Sequence, residues 1–363
     1  MASIRQRPNG KWRARYRDED GKEHAHHFDR KRDAQAWLDA TASAVLTGTY
    51  VDPKTSKVTL RSYYADWSPR QLWATSTRSN FDTMMNDCSF ADAELGRIRR
   101  SHVEAWVKSM EARYAPGTIR TRIGNLRTVV RAAIMDRLLS SDPSLGVRLP
   151  RLRRAQAAMR VPSPEQVGDL LDAAEEWFKP FVALAAFAGL RLGEVAGVQV
   201  TDVHFLKRTL QVTRQVQNEP GRLIVKPPKH GSERPVPLPD DLVALLSAHV
   251  SNVGVHGDEG WLMPGQPPNP DSLSWHFNKT LERAGITGHT PHDLRHYYAS
   301  GLIANGADVV TVQRALGHAN ASTTLSTYSH LWADAEDRTR AAAASLMRSS
   351  RRSADSSRTD RAI

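Results

Sequence analysis

Six polar side chains stand in the C-terminal half where packing does not call for them. Arg191 follows an apolar run (Phe181 to Leu190) in FAGLRLGEVAGV, and Lys229 lies in a tight turn between two strands in KPPKHGSERPVPL. His292 and Arg295 share HTPHDLRHYYAS, His318 lies in RALGHAN and Tyr328 in STTLSTYSHL. These residue types suit phosphoryl transfer. A tyrosine hydroxyl can cut a phosphodiester and keep its energy in a covalent ester. A guanidinium matches two phosphate oxygens and stays charged, and lysine or histidine can move protons. Each alone is a weak signal, and several have another reading. Arg191 could be a salt-bridge partner of Glu194, and His318, after Leu316-Gly317, could satisfy helix carbonyls. Tyr297 and Tyr298 compete with Tyr328, and His292-Asp293 could belong to a metal phosphohydrolase.

Taken together and in this order, the segments resemble the tyrosine recombinase (phage integrase) family over about residues 163–335. The GLRxGE box, the hairpin lysine, the HxxR box, an LGH and a following tyrosine are all present, and Ser232 and Arg234 fit the usual run after the lysine. Tyr297 stands where many relatives have threonine; His296 matches a residue often found beside the HxxR box and is assigned no chemistry. The resemblance implies that Tyr328 attacks a scissile phosphate, forms a 3′-phosphotyrosyl link and releases a 5′-hydroxyl. Arg191 and Arg295 would clamp the non-bridging oxygens. Lys229 would protonate the departing oxygen, His292 would assist proton transfer at the tyrosine and His318 would hydrogen-bond the phosphate. The arginines and lysine supply the charge a metal would bring, so no metal, cofactor or ATP is expected.

The elements that must position these groups begin at Val161-Pro162-Ser163-Pro164-Glu165, a helix start with Ser163 as its cap. Strands are predicted over Thr209 to Val216, Arg222 to Val225 and Arg234 to Leu238, with helices from about Asp240 and Ser272 and several after Thr290. RTRAAAASLM reads as a short helix, and the tail from Ser349 to Ile363 has a disordered composition. This gives a mixed α+β, mainly helical catalytic domain over 161–348 within a multidomain chain.

The 363 residues are too many for one ordinary domain and suit two or three. No stretch of eighteen apolar residues occurs, and MASIRQRPNGKWRARY lacks the apolar core of a secretory signal, so a cytoplasmic protein without a membrane span is expected. The single cysteine, Cys88, excludes an intramolecular disulfide. A net charge of +11 raises the prior for a polyanionic partner. Between Arg97 and Arg160 fifteen Lys or Arg face four acids, so this window carries an excess equal to that of the whole chain.

Residues 1–55 form a unit of their own: strands at Ile4 to Arg7, KWRARYR and KEHAHHF, joined by turns at Pro8-Asn9-Gly10 and Asp18 to Gly21, then a helix from Lys31 to Leu46. In the middle strand Lys11, Arg13, Arg15 and Arg17 alternate with Trp12, Ala14 and Tyr16, giving one basic and one apolar face. Ala34, Trp37, Leu38 and Val45 are available to cover the apolar one. A linker (47 to 57) leads to an all-α domain over 58–150. Its clearest helix starts near Pro116, with Thr118 as the expected N-cap and Ile119, Ile123, Leu126, Val130 and Ile134 as the buried stripe. Arg120, Arg127 and Arg131 fall on an adjacent stripe, read as a phosphate-contacting face. Ser140 to Arg160 reads as an interdomain linker.

By the resemblance, the first unit is an arm-type domain whose three-stranded sheet enters the major groove, and the helical domain binds core sites. The expected partners are double-stranded DNA, a homotetramer on DNA, a host DNA-bending protein and an excision directionality factor. Against an integrase stand a resolution recombinase or type IB-like topoisomerase, and a DNA-binding protein with vestigial catalytic residues.

Overall fold

The computed structural model describes residues 2–17, 21, 23–46, 50, 57–151, 160–332, 340 and 343–348. The chain divides into two compact units, residues 1–157 and 158–363. In the first, β1 (Ser3–Gln6), β2 (Trp12–Arg17) and β3 (Glu23–Phe28) form an antiparallel sheet in that order. Ala14 pairs with Ile4 on one side and His26 on the other. Alternation puts Ala14 and Tyr16 on the inner face, where α1 (Lys31–Leu46) covers them with Ala34, Trp37 and Leu38. The Val45 side chain and the turn residues Asp18 to Asp20 lie outside the described residues.

The opposite face is less uniformly basic than the middle strand alone implies. Glu23 on β3 pairs with both Arg13 and Arg15, at 3.2 and 3.3 Å, and Lys11 reaches Asp29 at 3.4 Å. Arg17 is exposed.

Four helices follow: α2 (Leu60–Trp67), α3 (Thr75–Asp87), α4 (Arg100–Glu111) and α5 (Pro116–Met135). Leu60, Met84, Trp106, Met110, Ile123 and Leu126 meet in one core. The stripe predicted on α5 is buried at Ile119, Ile123, Leu126 and Val130, with Ile134 packed at its edge. Thr118 is not the N-cap. Pro116 occupies the first helical position and Ala115 the cap, because proline's fixed φ suits that position and needs no amide partner.

The segment expected to be a linker packs in part: Ser144 and Val147 are buried, and Arg127 donates to Ser144 Oγ and O at 3.0 and 3.2 Å. Residues 152–159 lie outside the described residues, as do 47–49, 51–56 and the tail from Ser349.

In the second unit, Ser163 caps α6 (Pro164–Ala173) by accepting from the Gln166 amide at 3.2 Å. Two short helices follow, α7 (Lys179–Phe187) and α8 (Leu192–Ala196). The strand predicted over Thr209 to Val216 is two strands. β5 (Thr209–Val212) lies between β4 (Val203–His204) and β8 (Arg234–Pro237), whereas β6 (Gln215–Glu219) pairs only with β7 (Arg222–Lys226). A single run with one apolar face serves two sheets.

Then come α9 (Asp240–Asn252), α10 (Pro270–Arg283), α11 (Pro291–Ala304), α12 (Val309–Leu316) and α13 (Ala321–Tyr328); residues 343–348 are helical. Helix α7 is apolar around its whole circumference because it is buried on all sides, with Phe181, Leu184 and Phe277 at the centre of this core. No described helix is long and apolar enough to cross a membrane.

Leu126 is fully buried in the first unit's core. Leu126→Ala should lower stability by about 2–5 kcal/mol, seen as a lower urea midpoint at unchanged slope for the transition of that unit.

Candidate active site

The site is built where α7 ends. Gly189 has φ +64, and a Cβ there would lie 2.3 Å from the Tyr298 ring, so only glycine makes this turn. The turn places Arg191 at the N-terminus of α8, where Glu194 reaches back to accept from the Arg191 amide at 3.0 Å and from its guanidinium at 2.7 Å. The ordinary salt bridge is therefore real. It is also only one part of a larger arrangement.

Glu194 is 1% exposed and meets two further arginines. Arg234, at the start of β8, donates to Glu194 at 3.0 and 3.3 Å and to the Ala315 carbonyl at 2.9 Å. Arg295, on α11, stands 3.9 Å away and donates to the Gly189 and Leu316 carbonyls. Burial pushes the Glu194 carboxyl upward, but the Arg234 hydrogen bonds and the charges of Arg234, Arg191 and Arg295 prevail and hold it at about 2. One carboxylate thus faces three guanidiniums, and the site keeps a positive excess. Arg191 is the most open of the three, with 30% of its side chain exposed.

The histidines feel this excess. His318 follows Gly317, which ends α12 at φ +61 where a Cβ would strike Arg234 Nη1 at 2.8 Å. The backbone of His318 serves the helix end by donating to Gln313 O, while its ring bonds the buried Thr324 hydroxyl at 2.9 Å. Desolvation, then Arg295, Arg191 and Arg234, push His318 down to about 4. His292, in the first turn of α11, keeps part of its ring in solvent; desolvation, His296, Arg295 and Arg191 lower its pKa.

Tyr328 closes α13 and is 1% exposed. Its hydroxyl lies 2.7 Å from Nδ1 of His296, and burial pushes it up to about 12 against the opposing pull of Arg295 and Arg191. The ring on the tyrosine hydroxyl is therefore His296 and not His292, which packs edge-on against His296 at 4.7 Å. One helical turn separates the two histidines, and the deeper one reaches α13. The sequence signal for it was only its place beside Arg295.

The competing tyrosines are accounted for by packing. Tyr297 stacks edge-on against Phe187 in the core, and Tyr298 lies over Gly189. Asp293 caps α11, accepting from the Thr290 amide at 2.7 Å and its hydroxyl at 3.1 Å. Among the described residues no group of three or more His, Cys, Asp or Glu could hold a metal.

Lys229 sits in a single 3-10 turn (Lys229–Gly231) that joins β7 to β8. It follows the hairpin and is not within it, because β8 pairs with β5. The lysine is exposed and its ammonium has no partner among the described residues.

The cations expected on DNA all lie in the first unit. Besides the strand residues, Arg120 is exposed and donates to Pro150 O at 3.1 Å, Arg131 is exposed, and Arg127 is half-buried on Ser144. Arg127 acts as a strut for the 140–147 segment. Acids outside the basic window also draw on it, since Asp87 pairs with Arg113 and Arg122, and Glu94 with Arg97.

Glu194 makes stability depend on pH in a definite direction. An unfolded glutamate takes its proton near about pH 4.3, whereas native Glu194 stays charged down to about 2. The unfolded state binds more protons in that window, so this contribution is whole above about pH 4.3 and drains as pH falls toward about 2. Glu194→Gln should lower stability at neutral pH by about 3–5 kcal/mol and flatten that acid limb, read from urea midpoints across the range.

Residues 161–334 match the phage integrase family, and residues 2–47 match the phage integrase N-terminal domain. The prophage phiRv2 integrase of Mycobacterium tuberculosis is 26% identical over 348 residues, 89% of each chain. A tyrosine recombinase of Pseudothermotoga lettingae is 26% identical over 250 residues, covering 66% of this chain and 80% of its own. Among solved structures, the Tn1549 transposon integrase in complex with a circular intermediate DNA aligns at TM-score 0.63 and 20% identity, over 75% of this chain and 95% of that one. A lambda integrase tetramer bound to a Holliday junction aligns at TM-score 0.59 and 19% identity, over 88% and 96%. These structures share the fold. With the catalytic and N-terminal models matched on one chain and recombinases as its relatives, the chain belongs to the phage integrase family of tyrosine site-specific recombinases.

Proposed function

We propose that this integrase cuts and rejoins DNA at paired attachment sites through a 3′-phosphotyrosyl intermediate formed by Tyr328, integrating and excising a phage or mobile element. The observation that carries this reading is the convergence of Arg191, Arg295, His318 and the Tyr328 hydroxyl, from four separate elements, on a centre with more cations than anions. A scissile phosphate supplies the missing anion. Arg191 is open enough to take its non-bridging oxygens, Arg295 lends its charge from beneath, and His318 donates a hydrogen bond. His292, at the open edge beside them, faces the same phosphate.

In cleavage the Tyr328 oxygen bonds to phosphorus and the bond from phosphorus to the 5′-oxygen breaks. Lys229 gives a proton to that oxygen, and the tyrosine proton passes to a base within the site. Rejoining runs the same transfers backwards from a 5′-hydroxyl on the partner strand, so no external energy source is needed. Tyr328 is almost wholly buried, and its hydroxyl is held on His296. Lys229 is exposed in its turn and without a partner among the described residues, which leaves its ammonium free to approach the departing oxygen. The guanidiniums provide the positive charge, and the reaction requires no metal.

Lambda integrase as a tetramer on a Holliday junction supports a tetrameric complex on double-stranded DNA here. The match of residues 2–47 supports an arm-type role for the sheet carrying Lys11, Arg13, Arg15 and Arg17, with residues 58–150 binding core sites through Arg120 and Arg131. A host bending protein and a directionality factor complete this assembly.

Protein incubated in EDTA with labelled DNA flanking its own gene, carried on a nicked suicide duplex, should give a detergent-stable protein–DNA adduct. Tyr328→Phe should abolish it, and Tyr297→Phe should keep it provided the variant folds. An adduct surviving Tyr328→Phe would remove Tyr328 as nucleophile.

A further inference from the structure

We infer that His296 is a catalytic residue of this reaction, the base that takes the Tyr328 proton as the phenolic oxygen bonds to phosphorus. The inference rests on Tyr328 being the nucleophile.

The geometry is direct. His296 Nδ1 lies 2.7 Å from the Tyr328 hydroxyl, with the rings 5.6 Å apart and inclined by 65°. Among the described residues no other side chain hydrogen-bonds that hydroxyl. A neutral imidazole at this distance accepts through Nδ1 and keeps its own hydrogen on Nε2. His296 is held neutral: desolvation lowers its pKa and Arg295 adds to this, while Asp293, one turn back on α11, opposes them. From α13 it faces the phenol itself.

The need for a base is equally plain. With its pKa pushed up to about 12, Tyr328 is almost entirely protonated at neutral pH, and a phenol is a poor nucleophile. As the bond from oxygen to phosphorus forms, the proton passes to Nδ1 and leaves an imidazolium. The two groups sit on α11 and α13, and His318 between them in sequence holds Thr324 on α13. The imidazolium returns the proton to the tyrosine oxygen when the 5′-hydroxyl displaces it, so the proton count closes over a full cycle. His292, edge-on to His296, is left for the phosphate.

Two substitutions and one altered substrate test this. His296→Ala removes the base; His296→Asn keeps a hydrogen-bond acceptor near the Nδ1 position but cannot take a proton. Single-turnover cleavage of the nicked suicide duplex should fall by about 10²–10⁴-fold in both. Added imidazole should restore part of the rate in His296→Ala. Replacing the bridging 5′-oxygen by sulfur makes a leaving group that needs no acid, so this substrate should rescue Lys229→Ala and leave His296→Ala slow. Thermal melting and DNA binding establish that the variants are folded, and His296→Asn alone still decides the matter if the alanine variant is not.

Cleavage by folded His296→Asn at the wild-type rate would reduce His296 to a hydrogen-bond support. Rescue of His296→Ala by the sulfur substrate would move it to the leaving-group side, and faster cleavage would make the contact a restraint. Each of these overturns the proposal. A wild-type protein that forms no adduct, or an adduct that survives Tyr328→Phe, would instead defeat the reading on which it rests.

Discussion

The carboxylate of Glu194 is the interaction on which the catalytic unit depends. Removing a carboxylate from water to 1% exposure costs several kcal/mol unless opposite charge and hydrogen bonds replace the lost hydration. Here the replacement comes from three arginines on three elements: Arg191 before α8, Arg234 at the start of β8 and Arg295 on α11. The same contacts that stabilise the buried charge fix these elements against one another. They also fix the guanidiniums before any substrate arrives, which is the condition for electrostatic catalysis without reorganisation.

Because one anion faces three cations, the centre is incomplete by itself. Burial lowers the pKa values of His292 and His318, and the excess adds to it, so their rings are neutral at physiological pH. It also pulls against the burial that raises Tyr328. A phosphodiester carries the anion the centre lacks. Backbone geometry serves the same end: Gly189 lets α7 turn beneath Tyr298 while its carbonyl receives Arg295, and Gly317 leaves room for Arg234 under the end of α12. Neither position admits a side chain without moving an arginine or the ring above it.

Much of this was legible in the sequence because the chemistry uses residue types that packing rarely wants. The family boxes, the helix over Lys31 to Leu46, the Ser163 cap and the α5 stripe all follow from local pattern. What was not legible depends on partners far along the chain. Arg127 looked free until Ser144 folded back onto it, and the strand cations looked unopposed until β3 brought Glu23 between Arg13 and Arg15. Thr209 to Val216 reads as one strand because alternation does not reveal a change of sheet. His296 gained its contact only when α11 packed beside α13, 32 residues on. The cap at Thr118 failed for a local reason: Pro116 was already fit to start the helix.

The arginines are held in place to neutralise charge on a phosphate. The most direct measurement is cleavage by Arg191→Ala on a suicide duplex whose scissile phosphate is replaced by an uncharged methylphosphonate. Arg191→Ala should lose most of its rate on the ordinary phosphate and recover toward the wild-type rate on the neutral substrate, where no charge remains to be neutralised. An equal loss on both substrates would contradict it, and would make Arg191 a structural partner of Glu194 alone.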